Sequence, residues 1–164
     1  MLKDIVVFDL DCTLADNTHR LPYLPTKDLH LTSSWSDFNS RCANDAPILS
    51  TIAIMNACYD AGLLVVILTA RSDEVIDETE NWLSRYGAKY HTMKMRGADD
   101  NRRDTDLKEE YLRRVGLDRI IACWDDSPIV VEHLRNMGLQ VYHVCAHADM
   151  ENRQDLKSSG VDLL

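Results

Sequence analysis

The sequence predicts a doubly wound α/β domain with a mostly parallel, five-stranded sheet. Three observations carry that prediction. Short apolar runs alternate with amphipathic segments along most of the chain. Four of those segments end at a glycine (Gly62, Gly87, Gly116, Gly138) shortly before the next apolar run, as a helix does when it turns back into a sheet. The first run, Ile5-Val6-Val7-Phe8, has no polar residue and so suits a strand covered on both faces.

Each element follows in order. Ile5–Phe8 leads into Asp9-Leu10-Asp11-Cys12-Thr13, two acids two positions apart at the end of a buried strand. Such a pair is costly unless a cation or a reaction occupies the space beside it. A polar, proline-containing stretch at about 16–46 is too long for a structureless loop and is expected to be a small lid or helical insert within a single domain spanning 1–164. Inside it, Trp35 and Phe38 are read as packing of the insert rather than a base-stacking platform.

Pro47 is expected to open a helix with Ile48, Ile52, Met55 and Tyr59 on one face. Leu63 to Leu68 forms the next strand and stops at Thr69-Ala70-Arg71. Ser72 caps a helix with Val75, Thr79, Leu83 and Tyr86 inward. Tyr90 to Met95 is a weaker strand, followed by a polar loop holding Arg96, Arg102 and Arg103. Asp106 and Glu109 resemble a capping box for a helix ending at Gly116. Arg119 to Trp124 is a strand ending in Asp125-Asp126, and Ser127-Pro128 starts the following helix. Val141 to Cys145 is the last strand, and a short helix is expected near Met150 to Leu156. Trp82 and Trp124 are assigned to the core.

Composition narrows the function classes. Hydrophobic residues at 45% and charged residues at 27% are ordinary for a globular domain of 164 residues. A net charge of −9 and a pI near 5.0 argue against an extended duplex-binding or anionic-membrane surface. No apolar run reaches the length of a signal sequence or a membrane span. Five cysteines without a Cys-x-x-Cys pair suggest reduced thiols and a cytoplasmic setting. His143 and His147 straddle a strand end and make a poor metal pair.

In an open parallel sheet, ligands bind outside the carboxyl ends of the strands. Those ends supply Asp9 and Asp11, Thr69 and Arg71, and Asp125 and Asp126. Four carboxylates suit a hard divalent cation, Mg²⁺ above all, which accepts a substrate phosphate oxygen. Thr69, Arg71 and Lys108 add phosphate donors, a set suited to phosphoryl transfer.

Asp9-x-Asp11-x-Thr13, Thr69, Lys108 and Asp125-Asp126, in this order and at these strand ends, resemble the four motifs of the haloacid dehalogenase superfamily of phosphohydrolases. With Arg20, Thr69-Ala70-Arg71, Arg102-Arg103-Asp104 and Trp124-Asp125-Asp126-Ser127, the chain is similar to the 3′-phosphatase domains of phage-type polynucleotide kinase/phosphatases. No Gly-x-x-x-x-Gly-Lys-Ser/Thr loop occurs, so the kinase half is absent from this chain. The family usually has glycine where this chain has Cys12.

The resemblance implies a Mg²⁺-dependent phosphomonoesterase acting on a phosphorylated nucleotide or oligonucleotide end. Asp9 would attack phosphorus and Asp11 would shuttle protons, with a pKa raised by neighbouring acids. Thr69 and Lys108 would neutralise phosphoryl oxygens. Asp9, the Asp11 carbonyl, Asp125 and Asp126 would hold the metal. Arg20, Arg71, Thr13, Arg102 and Arg103 would contact substrate. Two other readings compete. One is a 5′-nucleotidase or other small-molecule phosphatase. The other is an inactive phosphate-binding module that partners a separate kinase or ligase.

Overall fold

The structure is a computed structural model that describes residues 3–144. In chain order its elements are β1 (Ile5–Phe8), β2 (Ala15–Asp16), α1 (Ser36–Asn39), β3 (Ala46–Pro47), α2 (Leu49–Asp60) and β4 (Leu64–Ser72). They continue with α3 (Ile76–Arg85), β5 (Thr92–Arg96), α4 (Asp104–Val115), β6 (Ile120–Asp125), α5 (Pro128–Asn136) and β7 (Val141–His143). Cys145, His147 and the helix expected near Met150 lie outside the described residues.

Five strands form one sheet in the order β5-β4-β1-β6-β7, with every pairing parallel. The predicted fold class is borne out. β1 is central because it is buried along its whole length, whereas β5 at an edge exposes Thr92 and Lys94. Alternate residues of the apolar strands serve opposite layers. Ile5 and Val7 pack with Leu107, Leu112, Val130 and Leu134 from α4 and α5. Val6 and Phe8 pack with Ile52, Met55, Trp82 and Leu83 from α2 and α3. Trp82 is fully buried, while Trp124 is half-buried, stacked between Phe8 and Tyr142 at centroid distances of 4.4 and 5.1 Å.

Several element boundaries differ from expectation. Pro47 does not open a helix: it pairs with Ala15 in the small antiparallel β2–β3 ladder, and α2 begins at Leu49. α4 starts at Asp104 with Arg103 at its cap, so Asp106 lies inside the first turn and no capping box forms. Ser72 does cap as expected, its hydroxyl accepting the Glu74 amide at 3.3 Å. Ser127 and Pro128 begin α5, although the Ser127 side chain makes no capping bond.

The ladder pairs Asp16 with Ala46, so the intervening residues 17–45 leave and return at one point beside the end of β1. They carry 3-10 turns and α1. Thr32 ties them to the loop after β5, its amide donating to Asn101 Oδ1 at 2.7 Å and its hydroxyl to the Asp100 carbonyl at 2.6 Å. Among the described residues no helix is long and apolar enough to cross a membrane, and Cys42, Cys58 and Cys123 are free thiols.

Candidate active site

The carboxyl ends of β1, β4 and β6 meet at the floor of a cavity of about 620 Å³. Asp9 follows β1 directly, its amide donating to the Trp124 carbonyl of β6 at 2.9 Å. Asp125 is the last residue of β6, and its Oδ1 accepts the Ser127 amide at 3.0 Å. That bond turns the chain into α5 and fixes the carboxylate. Asp9, Asp125 and Asp126 are all buried, and each offers an oxygen within 4.8 Å of the others.

Lys108 reaches into this group from α4. Its Nζ donates to Asp9 Oδ1 at 3.0 Å and Asp125 Oδ2 at 2.7 Å, and lies 3.6 Å from Asp104 Oδ2. Burial pushes the Asp9 carboxyl well above the ordinary carboxylate range; Lys108 opposes this, and Asp125, Asp126 and Asp104 add to it. Asp125 is raised for the same reason, burial, with Lys108 opposing. Burial alone would lower Lys108, but Asp104, Asp125 and Asp9 outweigh it and hold the ammonium charged.

Three acids, Asp9, Asp104 and Asp125, therefore share the Lys108 ammonium, and a buried surplus of negative charge is unstable without further positive charge. The oxygen donors and this surplus fit a hard divalent cation such as Mg²⁺.

Asp11 lies outside that group. Its carboxylate accepts from Arg20, and from Arg71 at 2.7 Å (Oδ1) and 3.2 Å (Oδ2). Burial would raise its pKa, but Arg71 and Arg20 outweigh burial and hold it well below the usual carboxylate range. The expectation of a raised Asp11 pKa is thus overturned. Its neighbours in sequence are acidic, whereas its neighbours in space are guanidiniums.

β4 continues four residues past its apolar run, re-pairing Ser72 with Arg96 after an irregularity, and this extension delivers Arg71. Thr69 is buried on the same extension, its hydroxyl accepting the Arg71 amide at 3.1 Å.

The arginines divide by placement. Arg71 lines the cavity, but Arg20 does not: it is wholly buried, its guanidinium 4.1 Å from the Phe38 ring centroid. Arg96 is also buried and holds the backbone of its loop, donating to the carbonyls of Ala70, Asp100 and Arg102. Arg102 lines the cavity but is engaged by Asp100 and Glu110. Arg103 lines the cavity and, among the described residues, enters no ion pair. Thr13 is fully buried away from the cavity, and its hydroxyl has no hydrogen-bond partner among the described residues.

Two residues were missed by sequence reasoning. Asp45 is buried under both guanidiniums, accepting from Arg20 Nε at 2.9 Å, Arg20 Nη2 at 2.7 Å and Arg71 Nη2 at 3.1 Å. It also meets His19 Nε2 at 2.9 Å, and its carbonyl accepts the Trp82 indole at 2.8 Å. No local pattern marks it, since its partners are 25 and 26 positions away. Asp104 was legible, because four residues before Lys108 on one helix is the spacing of a side-chain pair.

A family model described as the polynucleotide kinase PNKP phosphatase domain matches residues 3–149. The chain belongs to this family. Membership bears out the resemblance to haloacid dehalogenase phosphohydrolases and makes the chain a phosphatase domain. Among solved structures it is similar to a chain from the Pnkp1/Rnl/Hen1 RNA repair complex, at 25% identity and a TM-score of 0.73, covering 87% of this chain and 42% of that one. A second structure of a Pnkp1/Rnl/Hen1 complex aligns at 24% identity and a TM-score of 0.73, covering 87% of this chain and 46% of that one. A predicted phosphatase from Clostridium acetobutylicum shares the fold at 16% identity and a TM-score of 0.67, covering 98% and 92% of the two chains. This phosphatase domain thus spans less than half the length of the repair-complex chains it matches. A search of curated protein sequences gave no match.

Proposed function

We propose that the chain is a Mg²⁺-dependent phosphomonoesterase that removes a 3′-phosphate from a nucleic-acid end or nucleotide by way of an aspartyl-phosphate on Asp9. The observation that carries this reading is the buried acidic group of Asp9, Asp125 and Asp126 around Lys108, on the floor of a cavity that Thr69 and Arg71 also line. Membership of a polynucleotide kinase phosphatase family supports the nucleic-acid substrate.

In the first step an Asp9 oxygen attacks phosphorus and the bond from phosphorus to the 3′-oxygen breaks; substrate phosphate draws Arg71 away from Asp11, which then takes up a proton from solvent and gives it to the departing oxygen. In the second step Asp11 takes a proton from water as that water attacks the aspartyl-phosphate, releasing inorganic phosphate and restoring Asp9. Lys108 and Thr69 neutralise the phosphoryl oxygens. Asp9, Asp125, Asp126 and the Asp11 carbonyl would hold Mg²⁺, which when bound supplies positive charge for a phosphoryl oxygen and for the surplus acids.

Arg71 both grips Asp11 and lines the cavity, so an incoming phosphate competes with Asp11 for it. Arg20, without access to the cavity, acts on substrate through Asp11 alone. Arg103 meets a substrate phosphate, and residues 17–45 form the roof of the site as a small lid.

The test is a panel run with Mg²⁺ and again with chelator: 3′- and 5′-phosphorylated oligonucleotides, and 3′- and 5′-mononucleotides. Metal-dependent preference for the 3′ substrates is expected. Preference for a 5′-mononucleotide would make the chain a nucleotidase. Turnover of none of them, nor of an aryl phosphate, would favour an inactive phosphate-binding module serving another enzyme.

A further inference from the structure

Asp45 is buried and does not line the cavity, yet it holds the back of the arginine that does. Arg71 Nη2 is divided between two carboxylates, Asp11 Oδ1 at 2.7 Å and Asp45 Oδ2 at 3.1 Å. Arg20 is divided in the same way, donating to Asp11 through Nη2 and to Asp45 through Nε and Nη2. Two guanidiniums and two carboxylates thus balance one another in a buried quartet. The other Arg71 donors are engaged as well, Nη1 with the Thr79 hydroxyl of α3 and Nε with Asp11 Oδ2, each at 3.2 Å.

Burial raises the Asp45 pKa, with Arg20 opposing. The donors around it hold it ionised. Oδ1 accepts from Arg20 Nε and meets His19 Nε2, and Oδ2 accepts from Nη2 of both arginines, so neither oxygen is left to carry a proton. Facing such a carboxylate, His19 Nε2 is the donor. His19 stands on the solvent side of the pair, its side chain 39% exposed where that of Asp45 is sealed.

We propose that Asp45 is a positioning residue for phosphate binding: it draws off part of the Arg71 charge, and His19 sets how strongly it does so. The proposal rests on the reading of the cavity floor as a phosphate site. A guanidinium shared between two carboxylates offers less attraction to a third anion than one held by a single acid. Asp45 therefore keeps Arg71 from holding phosphate so tightly that product stays bound. His19 shares the Asp45 charge with the two arginines and so loosens the Asp45 hold on Arg71. Loss of Asp45 and loss of His19 consequently act on Arg71 in opposite directions.

Inorganic phosphate is the probe, because its binding needs no turnover. Calorimetry in Mg²⁺ buffer on Asp45→Asn should give a dissociation constant about threefold below that of the wild type, since the neutral amide leaves more of the Arg71 charge to the cavity. His19→Ala should raise the constant about twofold. His19→Gln keeps an N–H donor and should return it to the wild-type value. KM for a 3′-phosphorylated oligonucleotide should move in the same directions.

A purely structural Asp45 predicts weaker phosphate binding by Asp45→Asn and His19→Ala alike, with no rescue by His19→Gln. That pattern, or affinities that do not move, would overturn the proposal. His19 is exposed, so its replacement leaves no internal void, and the two His19 variants decide the question alone if Asp45→Asn does not fold. Opposite shifts in phosphate affinity without turnover of any phosphorylated substrate would uphold the role of Asp45 while the phosphatase reading fails. Turnover by a wild type whose phosphate affinity ignores both residues would do the reverse.

Discussion

Cys12 has a φ of +56°, in the left-handed region, and it occupies the tight turn between Asp11 and the Leu10-capped bend. A non-glycine residue there costs roughly 1–2 kcal/mol, which explains the glycine that the family usually carries at this place. Replacement by glycine regains that strain but adds about 0.4–1 kcal/mol of unfolded-chain entropy. Cys12→Gly is therefore expected to melt at or slightly above the wild type. Cys12→Val, β-branched at a positive φ, should lose about 2 kcal/mol. Thermal melts of both decide whether Cys12 is a strained substitute for glycine. Asp9 makes a second case. A carboxyl whose folded pKa is raised costs stability at neutral pH, where it must ionise. Asp9→Asn should abolish turnover yet melt no lower than the wild type in metal-free buffer. Near-native turnover by this variant would refute the covalent mechanism.

Between elements, two connections hold the site's upper half. Asp45 joins residues 17–45 to β4 by binding Arg20 and Arg71 together, and it also anchors Trp82 of α3. Asp45→Ala would leave two buried guanidiniums short of a counter-charge. A loss of about 3 kcal/mol is expected, read as a fall in the denaturant midpoint with unchanged slope. Asp100 secures the loop between β5 and α4. Hydrogen bonds from the Arg102 side chain bring its pKa from 3.8 down to about 2. A depressed folded value means stability that is present above pH 3.8 and lost as pH falls through about 2. Solvent and salt screen this pair, so the effect is small. The stability gap between the wild type and Asp100→Asn should be present at neutral pH, shrink with added salt, and close below pH 3.8. A gap that widened on acidification would contradict the assigned direction.

Taken whole, the molecule sets an electrostatic imbalance at the most enclosed point of its sheet. Anything that binds the folded chain there stabilises it by mass action. Mg²⁺ should raise the melting temperature of the wild type and not that of Asp125→Asn, and chelation should abolish turnover until Mg²⁺ is restored. A melting temperature indifferent to Mg²⁺ would count against a site at Asp9, Asp125 and Asp126. The same architecture gives the cavity two unlike halves. The sheet edge contributes charge, because strand ends leave acids and donors beyond the core, and residues 17–45 contribute apolar surface.

Much of this was legible in the sequence. Apolar runs ending in Asp9, Thr69 and Asp125, with glycines before the next run, sufficed for the sheet, its parallel sense and the residues at its carboxyl edge. Such patterns are local, and neighbours in sequence write them. Which face each strand residue serves was not legible, since Ile5 to Phe8 is apolar throughout and offers no polar phase to read. Helix starts were misplaced where a plausible local signal, Pro47 or Asp106, lost to strand pairing or to an earlier turn. The charge environment of Asp11 and the place of Asp45 were decided by tertiary structure alone. Coulomb interactions act through space, and the chain brings Arg20, Asp45 and Arg71 to Asp11 only by folding. The sequence by itself determined which chemical groups stand at the sheet edge; the tertiary structure decided which of them neutralise one another.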